Sequence, residues 1–99
     1  MAKGSRITIE NAEKLAITAL SFLAGDPERL GRFLAITGIG PEAIRKAAAD
    51  PGFLAGVLDH VVSDEPLLLA VAEHAGVTPQ SVEGAQAALS GHAWEREVP

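Results

Sequence analysis

Three groups of residues have types and spacings that could carry chemistry. The first is Ile36-Thr37-Gly38-Ile39-Gly40-Pro41. Two glycines alternating with hydrophobes let backbone N–H groups approach a phosphate closely, and a helix starting at Pro41 would add its positive end. Arg29, Arg32, Arg45 and Lys46 flank the stretch and supply four of the chain's eight basic side chains. The second group is Asp59-His60, Asp64-Glu65 and Glu73-His74, a set of metal or acid–base side chains. No H-x-x-x-H, H-E-x-x-H or E-x-x-H pattern occurs, so no single helix presents two such ligands on one face. These are expected to be surface residues, and no metal site is expected. The third is the hydroxyls, such as Ser21, Ser63 and Ser81. None sits in a Gly-x-Ser-x-Gly elbow, and several stand where helix caps are needed. No catalytic residue and no cofactor is assigned, and enzymatic activity is not expected.

The glycine stretch is similar to the turn of helix-hairpin-helix DNA-binding motifs, which implies phosphate contacts from Gly38 and Gly40 with Arg29, Arg32, Arg45 and Lys46 nearby. Glu42 argues the other way. A carboxylate in the first helical turn repels phosphate and itself neutralises the helix end. The simpler account gives Gly38 the role of helix C-terminal residue and Gly40 that of N-cap.

These residues must be held by helices. Asp26-Pro27, Gly40-Pro41, Asp50-Pro51 and Thr78-Pro79 each pair a capping residue with proline, which fits the first helical position because its missing N–H would be unpaired there anyway. Asp64 before Glu65-Pro66 makes a fifth start, and Thr8 opens the first helix. Gly25, Gly38, Gly76 and Gly91 come just after apolar periodic stretches, where a left-handed terminal residue is wanted. The punctuation predicts six helices, over 9–23, 27–36, 41–49, 51–62, 66–75 and 79–90. The expected fold is all-α, a compact bundle of about six short helices in one domain over 7–91, with 1–6 and 92–99 as flexible tails. The expected core stripes are Ala12, Leu15, Ala16, Ala19, Leu20 and Leu23; Leu30, Phe33 and Leu34; Leu54, Val57, Leu58 and Val61; Leu68, Leu69 and Ala72; and Val82, Ala85 and Leu89.

The stretches Phe22-Leu23-Ala24-Gly25-Asp26-Pro27-Glu28-Arg29-Leu30, Gly38-Ile39-Gly40-Pro41-Glu42, Ala49-Asp50-Pro51-Gly52-Phe53-Leu54, Val57-Leu58-Asp59 and Asp64-Glu65-Pro66-Leu67-Leu68-Leu69 carry a further likeness. In their order and spacing the chain resembles a family of short proteobacterial proteins known as a domain of unknown function. The resemblance implies a compact helical protein and no particular activity.

Composition narrows the function class. The chain has no cysteine, which removes disulfides and thiolate chemistry and suits a reducing cytoplasm. Its longest apolar run, Leu67 to Ala72, is far short of the ~20 residues needed to span a bilayer. The net charge is −5, unfavourable for nucleic acid, and it is unevenly spread. Residues 1–49 hold seven basic and five acidic side chains, a net +2, whereas residues 50–99 hold one and eight, a net −7. Such a division can orient a protein partner or a second copy of the chain. The sole tryptophan, Trp94, either folds back on the domain or anchors a partner. Three successive leucines, Leu67, Leu68 and Leu69, occupy more of a helix than one buried face requires. Either that helix is central to the bundle, which is the favoured account, or one leucine faces a partner, with Leu67 the candidate contact. The leading expectation is a non-enzymatic interaction or regulatory adaptor module acting on a protein partner or on itself. The alternative is a nucleic-acid binder using residues 36–46.

Overall fold

The computed structural model describes the backbone of residues 8–97 and the side chains of residues 8–91. Six helices succeed one another: α1 (Ile9–Ala24), α2 (Pro27–Thr37), α3 (Ile44–Ala47, entered through a 3-10 turn at Pro41–Ala43), α4 (Pro51–Val62), α5 (Glu65–Ala75) and α6 (Pro79–Glu97). There is no strand among the described residues. The all-α class is thus as expected.

The starts obey the capping logic. The Thr8 hydroxyl accepts from the Asn11 N–H, Asp26 from Glu28 and Arg29, Asp50 from Gly52, Asp64 from Leu67, and Thr78 from Ser81. Each such cap contributes about 1 kcal/mol by satisfying a donor that the helix leaves free. The stops obey it only in part. Gly38 (φ 77°) and Gly76 (φ 74°) are left-handed. At Gly76 the closure is double, with the Gly76 and Val77 N–H groups donating to the Glu73 and Ala72 carbonyls. Gly25 instead stays right-handed at φ −80°. Asp26, pushed to extended geometry by Pro27, makes the bend there. Gly91 does not stop α6, which continues through Glu97. A single glycine costs a helix only ~1 kcal/mol, and no proline comes after it until Pro99. The segment expected as a tail is therefore helical in its backbone as far as Glu97. Residues 1–6 and the Trp94 side chain lie outside the described residues.

The core sits where α1, α4 and α6 pack against one another, with α5 closing against all three and α2 leaning on α1. Ala12, Ala16, Ala19 and Leu23 of α1, Val57, Leu58 and Val61 of α4, and Val82, Ala85 and Leu89 of α6 are buried. Small residues on α1 let the neighbouring helices approach it closely. Phe33 is the one buried residue of α2, wedged edge-on against Phe53 and His60 of α4.

Further expectations need correcting. Of the expected core residues, Leu15 of α1 and Leu30 and Leu34 of α2 are only half-buried. The stripe of α5 is Leu67, Leu68, Val71 and Ala72, not Leu68, Leu69 and Ala72. Leu69 is 49% exposed, on the face it shares with Glu65 and Glu73, four residues either side. The helix expected over 41–49 is a 3-10 turn followed by one α turn. Gly40 offers no side-chain cap, and from Leu34 to Phe53 no residue is fully buried, so tertiary packing does not lengthen this helix.

Candidate functional site

The glycine hairpin is built for its chain path. Gly38 closes α2 through a single bond to the Leu34 carbonyl, and Thr37 donates its hydroxyl to the Phe33 carbonyl one turn back. Gly40 is extended (φ −76°, ψ 155°) and enters the 3-10 turn. A Cβ added at Gly40 would meet the Glu42 carboxylate at 3.1 Å, so the open side of the turn already carries a negative charge. The helical stretch after it is seven residues long, 41–47, too short for a substantial dipole.

The four basic residues expected beside this turn are divided. Arg29 lies nine residues before Gly38, ~13 Å along α2. Its guanidinium pairs with Asp26 at 3.1 Å and lies 5.9 Å from the centre of the Phe22 ring. Arg29 and Arg32 line a polar cleft of about 410 Å³ at the starts of α2 and α5, together with Asp26, Glu28 and Asp64. Carboxylates outnumber guanidiniums there, which makes it a poor anion site. Arg45 and Lys46 stand apart on α3, both exposed.

The histidines do not converge. His60 is half-buried against the Phe33 ring at 5.1 Å, and His74 is tilted against Phe22, also at 5.1 Å. Burial pushes the His60 pKa below its ordinary value; Asp64 counteracts this and Arg32 adds to it. The partial burial of His60 departs from the surface position expected for it, because α2 lays Phe33 across the last turns of α4. Among the described residues no three His, Asp or Glu side chains are placed to hold a metal. Asp59 instead accepts hydrogen bonds from Gln86 and Ser90, a polar tie between α4 and α6.

A more apolar groove lies elsewhere. Ile17, Leu20 and Ala24 of α1 face Pro41, Ile44 and Ala48 across a groove of about 540 Å³, with Arg45 on its rim. Ile17 is 45% exposed although it adjoins the buried Leu20. The other wall belongs to the stretch that contributes no fully buried residue, although Ile44 and Ala48 pack partly against the core.

Residues 9–92 match the profile of a family described as "Protein of unknown function (DUF3572)". The chain belongs to this family. The DUF3572 match starts at the first residue of α1, includes both walls of the groove, and ends within α6. No curated protein and no solved structure matches the chain. Membership fixes what kind of molecule this is and assigns it no activity.

Within this DUF3572 chain, the groove residues were not singled out by the sequence. A signal existed for Ile17, a β-branched hydrophobe falling outside the Ala12–Leu23 stripe of α1. Ile44 gave none beyond its place after the glycine turn. Leu67, a candidate partner contact, is 2% exposed and belongs to the core; Leu69 is the leucine that faces out. No helix among the described residues is long and apolar enough to cross a membrane.

Proposed function

We propose that this domain is a non-catalytic interaction module that docks an apolar protein segment with acidic flanks in the groove between α1 and Pro41–Ala48. Ile17 carries the proposal. Its exposed side chain extends the buried surface of Leu20 into an open groove, and covering it is worth on the order of 1 kcal/mol to any occupant. Arg45 on the rim and the adjacent Lys46 favour an acidic flank. Nucleic acid fits less well, because Glu42 covers the glycine turn and the chain's net charge is −5. The absence of cysteine suits a reducing compartment, and we place the module in the bacterial cytoplasm.

The test is a titration of the isotope-labelled protein with a synthetic amphipathic helix of Leu and Glu. Amide shifts should concentrate at Ile17, Leu20, Ala24, Ile44 and Arg45, and disappear in Ile17→Glu. Saturable shifts elsewhere, or none, would contradict the assignment.

A further inference from the structure

The same domain carries a surface with the complementary character. On α5, Glu65, Leu69 and Glu73 recur every four residues and so share one face, and all three are exposed. Val77, just past the end of α5, is also exposed. Leu69 and Val77, with Ile17 and Ile36, are the exposed large hydrophobics among the described residues. An acidic, leucine-centred helix face therefore stands on one part of the chain. An apolar groove with one basic lining residue, Arg45, stands on another. The division parallels the charge asymmetry of the sequence, with the groove in the basic half and the acidic face in the other.

We propose that the occupant of the groove is the Glu65–Leu69–Glu73 face of a second copy of this chain. Leu69 enters beside Ile17 and Ile44, while Glu65 and Glu73 approach Arg45 and Lys46. Among the described residues Arg29–Asp26 is the one ion pair, so Arg45 and Lys46 have no described carboxylate partner within their own chain. The contact joins two different patches, so it is heterologous: it repeats, either closing into a ring or running on as an open chain. The proposal rests on the groove being a docking surface and adds the identity of what docks.

Heterology gives a test that a symmetric contact would fail. Ile17→Glu spoils the groove and leaves the α5 face intact; Leu69→Lys spoils the face and leaves the groove intact. Both positions are exposed, and circular dichroism verifies that each variant folds. In sedimentation experiments the wild type should exceed the monomer mass with rising concentration, less so at high salt, which screens exposed charges. Each variant alone should remain monomeric, with association weakened at least ~tenfold. An equimolar mixture of the two should form a dimer and stop there, because only one intact groove and one intact face meet. Association indifferent to either substitution, or variants that do not complement, would overturn the proposal. So would a wild type that stays monomeric. In that case the Leu/Glu peptide titration separates the two levels: binding abolished by Ile17→Glu retains the groove and removes only the second copy, and no binding removes both.

Discussion

The imidazole of His60 on α4 stands edge-on to the buried ring of Phe33 on α2, with ring centroids 5.1 Å apart. Phe33 is the sole buried side chain of its helix, so His60 forms part of the seat that holds α2 in place. Burial keeps the His60 pKa below the ordinary 6.5; Asp64 raises it and Arg32 lowers it further. The folded protein therefore takes up this proton at lower pH than the unfolded chain does. Stability from this residue is complete above pH 6.5 and declines as pH falls through 6.5 toward the folded value. His60→Gln should lose less stability than the wild type over that interval in urea denaturation. Equal slopes would show that His60 is not differentially protonated.

Leu58 is fully buried where α4 meets its neighbours. Leu58→Ala should cost ~2–5 kcal/mol, the range for truncating a buried leucine in a packed core. Phe33→Ala should cost ~3–5 kcal/mol, since it is the one fully buried side chain of its helix. A loss below ~1 kcal/mol for either, on chemical denaturation, contradicts the packing.

Glycine substitutions should differ in sign. Gly31 lies exposed inside α2 with open space where a Cβ would go, so Gly31→Ala should stabilise by ~0.5–1 kcal/mol. Gly38 has the same open space but φ +77°, so Gly38→Ala should destabilise by ~1–2 kcal/mol. Thermal melts of the two variants check the contrast, and a shift in the same direction for both would contradict the backbone assignment.

The hairpin prediction is a weak interaction. Duplex DNA should bind no tighter than ~10⁻⁴ M near physiological salt. Arg45→Ala with Lys46→Ala should leave stability within ~0.5 kcal/mol, as ordinary exposed substitutions do. Micromolar DNA binding, measured by fluorescence anisotropy and lost in that double variant with the fold intact, would restore the phosphate role of Gly38 and Gly40.

Helix starts were legible in the sequence because proline and an adjacent cap each act locally. Asp26, Asp50, Asp64 and Thr78 do the same work in any surroundings. Stops were less so. Gly25 and Gly91 are glycines in the same kind of position as Gly38 and Gly76, and whether the chain turns left-handed there depends on the residues C-terminal to each glycine. The burial of Leu67 rather than Leu69 is a small rotation of α5 about its axis, settled by three neighbouring helices and hinted at only by Glu65 and Glu73. Of the groove, only Ile17 left a sequence signal, as a hydrophobe outside the α1 stripe. The groove depends on where the short α3 comes to rest beside α1, a tertiary outcome that leaves Ile17 uncovered.

The most direct measurement is a concentration series of amide spectra on the unmodified protein, from ~10 µM to ~1 mM, spanning the affinities of weak specific contacts. Shifts should grow with concentration in two patches only: Ile17, Ala24, Ile44 and Arg45 around the groove, and Glu65, Leu69 and Glu73 on α5. Spectra identical across the series, or changes centred on the glycine turn or the Arg29–Arg32 cleft, would contradict the account.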